Sequence, residues 1–294
     1  MKKRLLSTAA IVPLLSAAIV YAPSVVIVII LLVVSTLGIL EFYRLLDQAR
    51  IPAFRIVGAT CGIALILATY FGFTWSANCN GPGNTALAAE CEGCALALIV
   101  MILMVREFPQ VNNVLPLPTI ACTLLGVLYV PMLINFFTKI GLAWDAVGWR
   151  EPLKGHTGCY MIFYVCLVAK FTDAGALFVG KFLGRHKMFP RLSPLKTWEG
   201  LAGGMAAGTL TSVLFVRLAG GFGKIQIGPG HAIILGLLLA LAANIGDLAE
   251  SLLKRAGSVK DSGQLVPGIG GVLDLIDSLV FAAPVFYVYA RFVL

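Results

Sequence analysis

Apolar runs about twenty residues long recur from one end of this chain to the other, and no other feature constrains its fold so tightly. A helix needs about 20 mainly apolar residues to cross a bilayer. Measured against that length, candidate spans fall near residues 5–21, 24–42, 56–75, 86–105, 114–137, 158–180, 200–218, 231–250 and 276–293. The expected fold is all-α: a polytopic integral membrane protein with about nine transmembrane helices. Composition agrees, because 59% of residues are apolar and 12% charged, whereas soluble domains carry roughly 45–50% and about 25%. No long polar segment interrupts the runs, so residues 1–294 read as a single membrane domain with the lipid bilayer as its partner.

The formal charge of +8 would suit nucleic acid if it formed a basic face interleaved with aromatics. Instead the basic residues sit in short clusters beside apolar runs, which excludes that partner and points to topology signals and phosphate ligands. Short cytoplasmic loops are enriched in Lys and Arg. Starting inside places 15 of the 22 Lys and Arg residues in the cytoplasm, giving a cytoplasmic N-terminus and an extracytoplasmic C-terminus. On this count Lys139 falls outside. The first run also fits a signal peptide, with Lys2, Lys3 and Arg4 before an apolar core and small residues ahead of a turn.

Of the seven cysteines, Cys61, Cys122, Cys159 and Cys166 lie in apolar stretches, the ordinary place for a small buried side chain. Cys79, Cys91 and Cys94 read as one loop, open to a disulfide or, with fewer ligands than zinc prefers, a metal. Gly200, Gly204 and Gly208 recur every four residues, a small-residue face suited to close helix packing.

Four polar segments break the apolar pattern. In KFTDAGALFVGK, Lys170 and Asp173 share a helix face; a structural ion pair is one explanation, an interior site the other. RLSPLKTWEG offers Ser193, Lys196 and Thr197, two hydroxyls and a cation suited to phosphate oxygens, with Thr197 also placed to cap the next helix. In NIGDLAESLLKR, Asp247, Glu250, Ser251 and Lys254 fall along one helical stripe; an ion-pair ladder would share this spacing. Finally, a Gly-rich loop containing Lys260, Asp261, Gly270 and Gly271 leads to Asp274 and Asp277, one turn apart. Glycines let backbone N–H groups approach phosphates, and paired carboxylates can hold Mg2+ against them.

In order and approximate spacing, SPLKTWEG, GDLAESLLKR, VKDSG and PGIGGVLDLID resemble the signature region of the phosphatidate cytidylyltransferases. The resemblance is strong from Asp173 to Ala283; before it, only the hydropathy profile is similar. Residues 158–294 are thereby expected to form catalytic helices and cytoplasmic loops, and residues 1–157 N-terminal helices with little motif content. Two positions depart from the family pattern: Ile269 stands where the family usually has His, and Leu275 where it usually has Arg. Val266 is a milder departure.

The resemblance implies CTP and phosphatidate as substrates, one or two Mg2+ ions as cofactor, and CDP-diacylglycerol and pyrophosphate as products. It assigns Asp247, Asp274 and Asp277 to metal binding and catalysis, with Lys254 as a catalytic cation. Asp173, Ser193, Lys196, Thr197, Ser251, Lys260, Asp261, Gly270 and Gly271 fall to substrate or phosphate binding. The expected location is the cell (inner) membrane, with the active site facing the cytoplasm and a homodimer allowed. Competing readings are a CTP-dependent polyprenol or dolichol kinase, an ion-coupled secondary transporter using Lys170, Asp173 and Asp247, and a non-catalytic scaffold.

Overall fold

In lipid a backbone must satisfy its own N–H and C=O groups, so apolar runs of this length settle as helices. The computed structural model describes residues 23–80, 85–108, 113, 115–144, 156–190, 192–257 and 271–294, without the side chains of 77–80. The expected span at 5–21, together with Lys260, Asp261, Val266, Ile269, Gly270 and the Cys79 side chain, lies outside the described residues.

Among the described residues, eight helices are long and apolar enough to cross a membrane, one for each run from residue 24 onward. They are α1 Ser24–Gln48, α2 Arg55–Asn80, α3 Ala86–Glu107, the composite α4 Pro116–Val127 and α5 Leu133–Leu142, α6 Thr157–Phe182, α7 Trp198–Ala219, α8 Pro229–Ala256 and α9 Val272–Phe292. A π-helical turn, Leu128–Met132, joins α4 to α5 and contains Pro131. Proline lacks an N–H and its ring crowds the preceding turn, and the wider π turn accommodates both defects without ending the span. Short antiparallel hairpins pair β1 Lys187–Phe189 with β2 Ser193–Thr197, and β3 Gly221–Phe222 with β4 Ile225–Gln226.

The chain divides into two compact units. The first comprises Met1–Leu153 and Lys254–Leu275, the second Lys154–Leu253 and Ile276–Leu294.

The first unit is built around Tyr43, which is fully buried and donates its hydroxyl to the Thr123 carbonyl at 2.8 Å. Gly58 and Gly126 admit the ring, since a Cβ at either would strike it. The π turn packs similarly: Pro131 fills space left by Gly62. Lys139, counted above as a loop cation, lies inside α5 because the span runs to Leu142. Its ammonium meets Glu92 of α3 at 2.6 Å, and Asn135 donates to both Glu92 (3.2 Å) and Thr69 (2.8 Å). A charge in a span is costly unless paired, and this cluster supplies the pairing. Cys91 and Cys94 are not loop residues: both sit within α3 as free thiols, because the helix begins at Ala86, soon after the polar stretch.

In the second unit the small-residue face of α7 meets α6. A Cβ on Gly204 would come within 3.0 Å of both the Thr172 carbonyl oxygen and Ala176 Cβ, so this face is used for packing within the chain. Below it lies an aromatic cluster in which Tyr164 packs against Phe215, Phe222 and Phe286 at 4.8–5.7 Å between ring centroids. The Tyr164 hydroxyl lies 2.6 Å from Ser212 Oγ, and Ser212 donates to the Ala232 carbonyl. Those two contacts tie α6, α7 and α8 together. Gly220, at φ 73°, closes α7 in the left-handed conformation.

Candidate active site

Within RLSPLKTWEG, Ser193–Thr197 form β2 and Trp198 begins α7. Thr197 takes the extended conformation of an N-cap, and its Oγ1 accepts the Gly200 N–H at 3.1 Å. Glu199, in the first turn, accepts the N–H groups of Arg185 (3.1 Å) and His186 (3.2 Å) and lies 2.6 Å from His186 Nδ1. These bonds anchor the hairpin to the head of α7. Their consequence is the placement of Lys196: its ammonium reaches α8, 2.9 Å from Asp247 Oδ2. Ser193 starts the strand, partly exposed. Thr197 is buried and serves as the helix cap.

The stripe read from NIGDLAESLLKR is present, for α8 runs unbroken through Asp247, Glu250, Ser251 and Lys254. Within the second unit its upper part meets α9. One oxygen from each of Asp247, Glu250 and Asp277 lies within 4.8 Å of the others. Gly246 allows the approach, because a Cβ there would run into the Asp277 carbonyl. Glu250 and Asp277 are buried, and the Asp247 side chain is 39% exposed, so the cluster is walled on one side and open on the other. Three clustered carboxylates repel one another, and such a group persists where cations compensate it. Hard carboxylate oxygens are the donors Mg2+ takes, and it usually keeps water or phosphate positions beside one or two carboxylates. The donor set fits that ion.

Beside the cluster, Lys170 and Asp173 of α6 lie 3.6 Å apart and are joined through Ser278 of α9. Lys170 donates to Ser278 Oγ at 3.1 Å, and that hydroxyl donates to Asp173 Oδ2 at 2.9 Å. The Ser278 N–H in turn donates to Asp277 Oδ1 at 2.5 Å.

Lys254 and Asp274 lie in the first unit. Lys254 forms an ion pair with Asp274, both side chains being largely buried. Asp274 Oδ2 also accepts the Gly271 N–H at 2.9 Å, the bond of a carboxylate folded back over the start of its own helix. One residue earlier, the Leu273 N–H donates to Glu41 Oε2 of α1 at 2.8 Å. Glu41 is fully buried, and a carboxylate at a helix N-terminus is favoured by the helix dipole.

The structure therefore brings Asp247 and Asp277 together and adds Glu250, while Asp274 is engaged with Lys254. Ser251 lies on α8, partly exposed. Glu250 belongs to the stripe, but spacing alone assigns it no role. Glu41 carries a signal, a lone acid inside an apolar run, whereas a serine beside an aspartate gives no reason to single out Ser278.

The family model described as "Cytidylyltransferase family" matches residues 2–293. Among curated relatives, a phosphatidate cytidylyltransferase of Bacillus subtilis is 34% identical over 201 residues, 67% of this chain and 69% of the relative. A phosphatidate cytidylyltransferase of Brucella suis is 44% identical over 165 residues, 51% of this chain and 58% of the relative. A third, from Haemophilus influenzae, is 39% identical over 140 residues, covering 47% and 48%. The alignments thus cover about half the length of the last two relatives and more than two thirds of the first.

Proposed function

Because this chain belongs to the cytidylyltransferase family, we propose that it transfers the cytidylyl group of CTP to phosphatidate, forming CDP-diacylglycerol and pyrophosphate. The observation that carries the proposal is the family match, which runs almost from end to end of the chain. A phosphate oxygen of phosphatidate attacks the α-phosphorus of CTP, and the bond from that phosphorus to the β-phosphate bridging oxygen breaks. Pyrophosphate leaves with the bonding electrons.

Both reactants are anions, so the protein must position them and neutralise their charge. Asp247, Glu250 and Asp277 are the residues that would hold Mg2+. When bound, that ion supplies charge neutralisation at the phosphates. Lys196, which rests on Asp247, is placed to turn its ammonium to a phosphate. Lys254 and Asp274 flank in sequence the Gly-rich segment that carries Lys260, Asp261 and Gly270, and the family resemblance assigns that segment to the nucleotide. The Thr197 cap holds Lys196 in register.

The chain is a multi-pass membrane protein, and a membrane setting suits a substrate whose acyl chains stay in lipid while its phosphate lies at the interface. CTP is cytoplasmic, so the active site is assigned to the cytoplasmic face of the cell (inner) membrane, with the N-terminus inside and the C-terminus outside. The test uses purified protein, Mg2+, phosphatidate and CTP labelled in separate experiments on cytidine and on the γ-phosphate. The expected result is cytidine label in lipid and γ label in pyrophosphate. Lipid labelled only from the γ-phosphate would establish a kinase instead, and unlabelled lipid in both experiments would refute enzymatic transfer.

A further inference from the structure

We propose that the hairpin between α6 and α7 is an interfacial anchor: its apolar side chains enter the bilayer surface, and its basic side chains bind the headgroups of anionic phospholipids. This role is independent of the transfer reaction.

Exposed apolar side chains are ordinary along a membrane span, where lipid covers them. Phe189 and Leu195 are different, because they belong to β1 and β2, between the end of α6 at Phe182 and the start of α7 at Trp198. Leu195 is 84% exposed, Trp198 55% and Phe189 44%. Apolar surface gathered in this way is unfavourable in water and marks a place where something else covers it. Successive side chains of a strand point to opposite faces. Lys196 turns inward to Asp247, and its neighbour Leu195 accordingly points out. A tryptophan at the head of a span suits the headgroup layer, which accommodates both its ring and its N–H.

Charge selects the partner. Lys181, Arg185 and Lys187 are exposed on the same segment. The single acid between Lys181 and Gly200 is Glu199, and it is engaged by the backbone N–H groups of Arg185 and His186 and by the His186 ring. Lys181 lies over the Phe182 ring at 5.7 Å from its centroid, the posture of a cation whose stem follows apolar surface while its head reaches outward. Cations interleaved with exposed apolar groups fit an anionic lipid surface. An acidic soluble protein offers similar charge but must be recruited. The hairpin is fixed at both ends to membrane helices, so lipid phosphates stand beside it at high local concentration. Anchoring also sets Lys196, next to Leu195, at the depth of those phosphates.

The experiment places the full chain in proteoliposomes made of equal amounts of phosphatidylcholine and phosphatidylglycerol. A trace of either lipid carries a photoactivatable diazirine at headgroup level, and labelled peptides are mapped by mass spectrometry. The phosphatidylglycerol probe should label residues 181–198 at least about fivefold more than the phosphatidylcholine probe, the effect of one cation at an anionic surface. Lys181→Gln, Arg185→Gln and Lys187→Gln combined should abolish that preference, and Leu195→Ser should lower labelling by both probes. All four side chains are exposed, and wild-type elution on size exclusion confirms that the variants fold. Equal labelling by the two probes in wild type, or a preference that survives in the triple variant, overturns the recognition of anionic lipid. A segment labelled by neither probe stands in water, which overturns the anchor and leaves this surface to an acidic soluble partner. Cytidylyl transfer is read separately, from the labelled lipid product, so its failure does not bear on the anchor.

Discussion

Lys139→Met should destabilise the protein far more than deleting a surface lysine, because its partner is a carboxylate within a membrane helix. The pair lies at 2.6 Å with side chains only 13% and 9% exposed. Two unit charges at that separation attract by about 6 kcal/mol at an effective dielectric near 20. Most of that attraction offsets the desolvation of the two ions, so the intact pair has little net effect; the large effect comes from breaking it. With Lys139 removed, Glu92 keeps the Asn135 amide donor at 3.2 Å but remains a buried charge, at an expected cost of about 3–5 kcal/mol. Glu92→Met strands the ammonium at a similar cost. The double variant removes both charges and loses the Asn135 bond, so it should lie within about 1–2 kcal/mol of wild type. The assay is reversible unfolding in mixed micelles with increasing SDS, followed by circular dichroism, as a double-mutant cycle. Single variants within about 1 kcal/mol of wild type, or additive single effects, would refute a tightly coupled pair inside the span.

Asp277→Asn and Glu250→Gln should each lower cytidylyl transfer by more than the roughly 10- to 100-fold typical of losing a group that only supports a ligand, with wild-type elution on size exclusion as the folding control. Asp274→Asn should also abolish transfer while the protein stays folded in the membrane; a nearly normal rate would remove it from the active site. Thr197→Ala should cost about 1 kcal/mol in stability from the lost cap and raise KM for CTP by displacing Lys196, and Thr197→Ser should restore both. Glu41→Gln keeps an oxygen for the Leu273 N–H and should unfold close to wild type, whereas Glu41→Ala leaves that N–H without its acceptor, at about 1–3 kcal/mol, measured by the same SDS titration.

Hydropathy is a local property, so the runs from residue 24 onward each form one helix, and only the ends differ from expectation. That difference matters at Lys139. A helix continuing to Leu142 turns a topology signal into half of a buried ion pair. Helical period is equally local, which is why the Asp247 to Lys254 stripe and the Thr197 cap are legible in the residue order alone. The cysteines show the limit: Cys79, Cys91 and Cys94 read as one loop although the apolar run at 86–105 takes in two of them, and the helix beginning at Ala86 carries Cys91 and Cys94 into α3.

Period tells which residues share a face, not which face it meets. Asp274 and Asp277 are one turn apart and chemically alike, and tertiary structure alone separates them. Asp274 turns to Lys254 and its own helix start, while Asp277 joins Asp247 and Glu250. Glu41 meets Leu273 across 232 residues of sequence, and Lys170 meets Ser278 across 108. A charge in an apolar run announces that it needs a partner, because lipid will not solvate it. The partner's identity depends on how the helices pack, and packing is decided by the small residues, aromatic rings and hydrogen bonds of all of them together.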